Sequence, residues 1–356
     1  MPVEYLDTTG SGRINSDFYL PATGYNGSKH DSVDIYRETA QTAAAYQVAL
    51  PIIFGSIITI GIVGNVLVVC VIATTRKLRT VTNYLLLNLA MADILFLLLC
   101  GPLTVVHYAL MQWPLGDSLC RMIQYFLYVT CYVTIYTLVT VAAVRYTLVV
   151  KGSVSPYVTN TSYTIYVIFL IWFVSLLINI PVPLTYGVNS NNDNVTECVI
   201  SCQVNGQTFF SLFFGFAYVI PLAIIGTFYV ILVRHLAAER RHSMVRQANG
   251  SGSKEKSGHV TRVLACVVVV FTVCWLPLHI HLLWGSFGHL PASFGYKMSL
   301  IVWHSLVFLN SALNPIIYSF VSAEFREAFL GICNPRLRTQ TASFSGSGSR
   351  GVLIKS

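Results

Sequence analysis

The sequence predicts an all-α membrane protein: a seven-transmembrane helix bundle with a short amphipathic eighth helix. Three observations carry this. Seven apolar stretches run through the 356 residues, each long enough to cross a hydrocarbon core about 30 Å thick. The chain is 54% hydrophobic and only 10% charged, where a soluble domain carries about 25% charged residues. The charges between the stretches are sorted by sign.

The stretches are 47–74, 83–106, 119–141, 162–184, 209–233, 260–283 and 299–320. Each is too long for a buried strand, and unpaired backbone is not tolerated in lipid, so each reads as a helix. The first holds Asn65 and no charge. The second holds Asp93 and Pro102. The third leads to Arg145 and Tyr146 at its inner end. The fourth carries Trp172 and closes on Pro181 and Pro183. The fifth, sixth and seventh contain Pro221, Pro277 and Pro315. Each proline removes a backbone donor and invites a kink, as in a bundle that bends between states; simple tolerance is the other reading. After the seventh, Phe325 and Arg326 begin the eighth helix. The chain divides into an N-terminal tail (1–45), the bundle with its eighth helix (46–333) and a C-terminal tail (334–356).

Charge sets the orientation. With Met1 outside, 17 of the 22 Lys and Arg fall on the inner side, among them Arg76, Lys77, Arg79, Lys151, Arg240, Arg241 and Arg262. Nine acids, from Glu4 to Glu197, fall outside. The positive-inside rule selects this topology, with an extracellular N-terminus. The net charge of +8 is therefore a topology signal that also suits anionic inner-leaflet lipid. It is no nucleic-acid signal, because the basic residues are scattered over four segments rather than one face. No signal-peptide core appears in the polar N-terminal arm, so the first span is expected to insert as an anchor. Asn26 and Asn194 stand in glycosylation sequons on the outer side. Asn160 and Asn249 match the same pattern on the inner side, where it is fortuitous. Residues 247–253 have linker composition, and no internal repeat of the transporter kind is visible.

Ionisable groups at membrane depth default to function. Asp93 is the one acid inside an expected span. With Asn65, Thr134, Asn310, Ser311 and Asn314 it can hold a small cation such as sodium. A protonated Asp93 in a polar knot is the alternative. Arg145 reads as a snorkelling anchor or as a switch residue, and its chemistry alone favours the anchor. Of nine cysteines, Cys120, Cys198 and Cys202 face the oxidising exterior. Cys70, Cys100, Cys131, Cys266 and Cys274 read as small buried hydrophobes. Cys333 is a palmitoylation candidate. No Cys/His spacing reads as a metal site, and no motif of a metallopeptidase, serine hydrolase or phosphate loop supports an enzyme.

The motifs, taken in order, resemble the rhodopsin-like (class A) G-protein-coupled receptors. They are Gly64-Asn65-Val66; Leu87-Asn88-Leu89-Ala90-Met91-Ala92-Asp93; Trp113-Pro114-Leu115-Gly116 leading to Cys120; Arg145-Tyr146; Trp172; Pro221 with Tyr229; Phe271 with Cys274-Trp275-Leu276-Pro277; and Asn314-Pro315-Ile316-Ile317-Tyr318. The resemblance covers about residues 46–333. Within it, Cys120-Arg121-Met122-Ile123-Gln124-Tyr125, His259-Val260-Thr261-Arg262-Val263 and the stretch from Leu276 to Trp284 are similar to galanin and A-type allatostatin receptors.

The resemblance implies a plasma-membrane receptor for a short amidated neuropeptide that signals through inhibitory Gi/o heterotrimers, with arrestin and receptor kinases as later partners. It implies a disulfide from Cys120 to the second outer loop; Cys198 leaves that loop a better length than Cys202 does. It makes Arg145, Tyr146, Tyr229, Trp275, Pro277 and Tyr318 the activation switch. Ligand-binding candidates are Gln124, Tyr128, His279, Trp284, Trp303 and His304, with Asp117, Asp193 and Glu197 attracting a basic ligand. Amine and opsin readings fail on residues: Leu127 stands where amine receptors place an Asp, and Phe308 where opsins place a Schiff-base lysine. Two departures bear on the switch. Val144 replaces the acid that precedes the third-helix Arg, and Ser257 stands where some relatives carry an acid. Both imply raised basal signalling. A receptor for another peptide or small molecule, or a proton- or ion-coupled transporter, is the alternative.

Overall fold

The computed structural model describes residues 29–110, 112–152, 160–190, 195–200, 205–246, 251–288, 294–321 and 325–329; for 29–46, 240, 242–246, 251–260, 294–295, 297 and 320–321 it describes the helical backbone alone. Among these residues seven helices are long and apolar enough to cross a membrane. They are α1 (Lys29–Thr74), α2 (Val81–Leu110), α3 (Gly116–Val149), α4 (Thr161–Ile178), α5, α6 (Ser251–Phe287) and α7 (Phe294–Val321). α5 is continuous through Gly206–Phe214, Gly215–Val219 and Ile220–Arg246. Every expected span is present. All but α4, which stops short at Ile178, overrun the apolar stretches, because hydropathy reports the hydrocarbon core and not the caps beyond it.

Local chemistry sets the ends. Asn160 caps α4 by accepting a hydrogen bond from the Ser162 N–H at 2.9 Å, a structural use for an asparagine whose sequon faces the wrong side. Pro181 and Pro183 do not kink α4. The helix stops at its C-cap, Asn179, and the prolines shape the short turn Val182–Thr185 that follows. In α5, Gly215–Val219 is π-helical and ends two residues before Pro221, so a wider turn takes up the backbone that proline disrupts. Pro102, Pro277 and Pro315 lie within continuous helices. Residues 325–329 form the eighth helix: Phe325 is buried, its ring 5.9 Å from that of Tyr318, while Arg326 and Glu327 are exposed.

Small residues let helices close up. A Cβ on Gly64 would lie 2.9 Å from the Pro315 ring, and one on Gly61 would meet Ala312 at 3.3 Å, so α1 packs tightly on α7. α3 runs through the middle and touches α2, α4, α5 and α6. An unforeseen element lies beside its outer end. β1 (Tyr186–Ser190) and β2 (Thr196–Ile200) form an antiparallel hairpin with Val188 opposite Cys198. Two expectations for cysteine change: Cys100, Cys131 and Cys274 are buried, but Cys70 and Cys266 are exposed on the lipid-facing surface, where a thiol is apolar enough to sit. Asn26, Asn194, Cys202, Cys333 and the C-terminal tail lie outside the described residues, as do the side chains of Ser257 and Lys297.

Candidate functional site

The outer pocket is assembled from α2, α3, α5, α6, α7 and the hairpin. Its walls are Cys100 and Thr104 of α2, Ile123, Gln124, Leu127 and Tyr128 of α3, Tyr186 of β1, Phe213 of α5, Leu278 and Leu282 of α6, and His304, Val307 and Phe308 of α7. The cavity between these walls is narrow, about 30 Å³. Among the described residues, neither carboxylate nor ammonium lines it. Leu127 and Phe308, the positions that argued against amine and retinal chemistry, are apolar walls.

Of the six expected ligand residues, Gln124, Tyr128 and His304 line this space. Gln124 and Tyr128 stand one turn apart on α3 and share its inward face. The Gln124 Nε2 is 4.0 Å from the Cys198 sulfur, the Tyr128 hydroxyl is 2.8 Å from that of Tyr186, and the Tyr108 hydroxyl is 3.2 Å from His304 Nδ1. His279 lies one layer deeper, in a box of rings: Phe213 at 4.7 Å, Tyr218 at 5.0 Å, Phe214 at 5.5 Å and Trp275 at 6.4 Å. Neither of its ring nitrogens has a hydrogen-bond partner. Trp284 and Trp303 are not pocket walls. Trp303 packs on His281 at 5.7 Å and Trp284 on Tyr296 at 6.2 Å, and the latter indole is 45% exposed at the outer rim. Both rings splint the outer ends of α6 and α7. The expected disulfide joins Cys120 to Cys198, with their Cα atoms 5.6 Å apart.

Midway through the bundle, Asp93 accepts a hydrogen bond from Asn314 Nδ2 at 2.7 Å and is also hydrogen-bonded to the Ser311 side chain. Asn65 donates to the Ser311 carbonyl at 3.0 Å and to that of Gly61 at 2.9 Å. Asp93, Asn65, Ser311 and Asn314 therefore form one network across α1, α2 and α7. Thr134 and Asn310 are buried but make no hydrogen bond to Asp93. A second network escaped the sequence reading. Asn88 donates to the Thr137 hydroxyl at 2.8 Å and accepts from the Trp172 indole N–H at 2.8 Å, tying α2, α3 and α4.

At the inner end, Arg145 lies within electrostatic reach of Tyr229 on α5, and its Nε has no hydrogen-bond partner. No carboxylate among the described residues pairs with it. Val144 beside it packs against the core. Tyr146 packs at a tilt against Phe228, ring centroids 5.2 Å apart, with the Lys151 ammonium 5.7 Å from its ring. Trp275 and Tyr318 are buried with an unpartnered indole N–H and hydroxyl respectively. Neither group is hydrogen-bonded to Arg145.

Residues 64–318 match the rhodopsin family of seven-transmembrane receptors. The chain belongs to that family. It is 37% identical to the allatostatin-A receptor of Bombyx mori over 286 residues, covering 79% of this chain and 78% of the relative. It is 33% identical to galanin receptor 2a of Danio rerio over 289 residues, 79% of this chain and 77% of the relative. It is 32% identical to galanin receptor type 1 of Homo sapiens over 306 residues, covering 84% and 86%. The receptor is thus a multi-pass plasma-membrane protein and not an enzyme.

Pocket residues that the sequence reading missed are Cys100, Thr104, Ile123, Tyr186, Phe213, Leu278, Leu282 and Val307. Phe209 and Phe213 repeat at helical spacing, which was a usable signal. Tyr186 carried none, because only the hairpin brings it over the bundle.

Proposed function

We propose that this receptor binds a short amidated neuropeptide of galanin or allatostatin type and activates heterotrimeric G proteins of the Gi/o class. The observation that carries the ligand reading is the uncharged pocket, whose polar groups are the Gln124 amide, the Thr104, Tyr128 and Tyr186 hydroxyls and the His304 ring. A carboxylate or ammonium group would be desolvated there without a counter-charge. A terminal carboxamide is neutral, both donates and accepts, and matches Gln124. The similarity to an allatostatin-A receptor and to galanin receptors supports the peptide class.

Signalling then follows as a population shift. Peptide entry parts the pocket walls and presses on Phe213, His279 and Trp275 in turn. Pro277 lets α6 pivot. Tyr229 and Tyr318 reorganise about Arg145, and the inner end opens to a G-protein helix. The Asp93 network fits a sodium ion by chemistry: Asp93 supplies the charge, Ser311 a hydroxyl oxygen, and the Asn65 and Asn314 amide oxygens are buried without partners. A bound cation there would favour the resting packing. With Val144 in place of a carboxylate, Arg145 lacks one restraint and basal signalling is raised. Ser and Thr of the tail, from Thr339 to Ser349, serve receptor kinases and arrestin; Asn26 and Asn194 carry glycans and Cys333 a palmitoyl chain.

The test is guanine-nucleotide exchange in receptor-containing membranes exposed to a panel of amidated peptides and their free-acid forms. Amidated forms should act at least about tenfold more potently, a difference of about 1.4 kcal/mol, and pertussis toxin should abolish the response. Equal potency removes the amide reading, and toxin resistance removes Gi/o. Uptake or current without exchange would mark a transporter. Sodium should lower basal exchange in wild type and leave Asp93→Asn unaffected.

A further inference from the structure

We propose that Asp117 and Arg121 form the ionic half of a two-part clamp that holds the β1–β2 hairpin on α3 and positions Tyr186 over the pocket. This rests on the ligand pocket proposed above. The pair is usually legible only as two outer charges; the geometry gives it a task. Asp117 lies in the first turn of α3 and Arg121 one turn later, on the same face. Asp117 Oδ2 accepts from Arg121 Nε at 2.6 Å, while its Oδ1 accepts from the Val188 backbone N–H at 2.9 Å. Arg121 Nη1 donates to the Pro183 carbonyl at 2.6 Å. One carboxylate and one guanidinium thus hold both β1 and the turn that feeds it.

The register shows why this is a clamp. Val188 stands directly opposite Cys198 in the hairpin. Cys198 is bonded to Cys120, and Cys120 lies between Asp117 and Arg121 on α3. Both strands are therefore fastened to the same stretch of α3 at the same rung, β2 by a covalent bond and β1 by the ion pair. The strand passes so close that a Cβ on Gly187 would lie 3.3 Å from Arg121 Nη2 and 3.4 Å from Asp117 Oδ1. Next along β1, Tyr186 is 1% exposed and shares its hydroxyl hydrogen bond with Tyr128. The disulfide fastens α3 to β2 and reaches β1 only through the hairpin pairing; the second tether ties β1 to α3 directly, next to Tyr186. The side chains of the pair are 33% and 51% exposed, so it adds little to global stability and acts through position. It also removes Asp117 from the set of free acids expected to attract a basic ligand.

The test has a ligand-free arm and a ligand arm, both on the full-length receptor in lipid nanodiscs. In the first, hydrogen–deuterium exchange of residues 183–190 should rise about tenfold in Asp117→Ala, Arg121→Gln and Gly187→Val. It should stay near wild type in Asp117→Glu, with the disulfide and the rest of α3 unchanged in all four. Unchanged exchange in the first three overturns the clamp. In the second, a labelled amidated allatostatin-A peptide should dissociate about tenfold faster from Asp117→Ala and from Tyr186→Phe, with association altered far less. The double variant should be no faster than the quicker single one, because both changes break one chain of contacts. Additive effects overturn action through Tyr186. A wild-type receptor that binds none of the peptide overturns the ligand reading, and the exchange arm still decides the clamp.

Discussion

α3 and α4 are neighbours of opposite character. In an apolar window of α3, 67% of the residues are buried by protein, against 17% in the fourth span, Thr161–Thr185. Yet α4 is the more apolar helix. In water the ranking would be reversed, because apolar surface is driven inward. In a bilayer that drive vanishes between helices, and burial follows polar partners and close packing instead. α3 carries the disulfide, the clamp, four pocket walls, Thr137 and Arg145. α4 offers lipid a row of rings and aliphatic chains, including Tyr166 and Phe169, and reaches the bundle chiefly through Trp172 and the carbonyls near its end. The apolar helix is anchorage; the mixed helix is the machine.

Substitutions along the two helices test that division. The largest effect is expected at the outer end of α3. Cys120→Ser should lower thermal stability and peptide affinity by about 2–4 kcal/mol, the usual contribution of a native disulfide, and the Cys120→Ser/Cys198→Ser double variant should be no worse than either single. Additivity of the two would break the assignment of one bond. At the inner end of α3, Val144→Asp should restore a carboxylate beside Arg145 and reduce ligand-free nucleotide exchange about fivefold, or about 1 kcal/mol. Equal basal activity would remove the proposed loss of restraint. On α4, Trp172→Phe deletes the indole donor to Asn88 and keeps the ring; a loss of about 0.6 kcal/mol in a thermal-shift assay is expected, as for other interhelical hydrogen bonds in membranes. The smallest effect belongs to the lipid-facing Phe169→Leu, within about 0.5 kcal/mol of wild type. A loss of several kcal/mol there would mean that α4 meets a protein partner rather than lipid.

The same contrast explains what could be read from the sequence. Seven helices were legible because apolar length in a bilayer leaves the backbone no other structure. The Asp93 network was legible in kind, since an acid at membrane depth must find partners; which partners was not. Asn65, Ser311 and Asn314 converge because Gly61 and Gly64 let α1 close on α7, while Thr134 and Asn310, equally polar and buried, make no hydrogen bond to Asp93. Which aromatic rings face inward was not legible either. Trp284 and Trp303 are as apolar as Tyr186 and Phe213, and either environment accepts them. The hairpin was invisible because Tyr186-Gly187-Val188-Asn189-Ser190 is short and half polar, and it is held to the bundle by tethers on α3 that are distant in sequence. The i, i+4 spacing of Asp117 and Arg121 was the one local hint. The exposure of Cys70 and Cys266 shows the limit of a rule learned from soluble cores.

The central claim is that peptide held at the outer end of α3 changes the packing at its inner end. Spin labels on the inner ends of α3 and α6, at Val149 and Arg262 in a cysteine-light background, measure this by pulsed dipolar spectroscopy in nanodiscs. The account predicts a single short distance in the ligand-free Val144→Asp receptor, a mixture of short and long distances in wild type, and a shift to the long distance when an activating amidated peptide and G protein are added. One distance, unmoved by peptide that is shown to be bound, would contradict it.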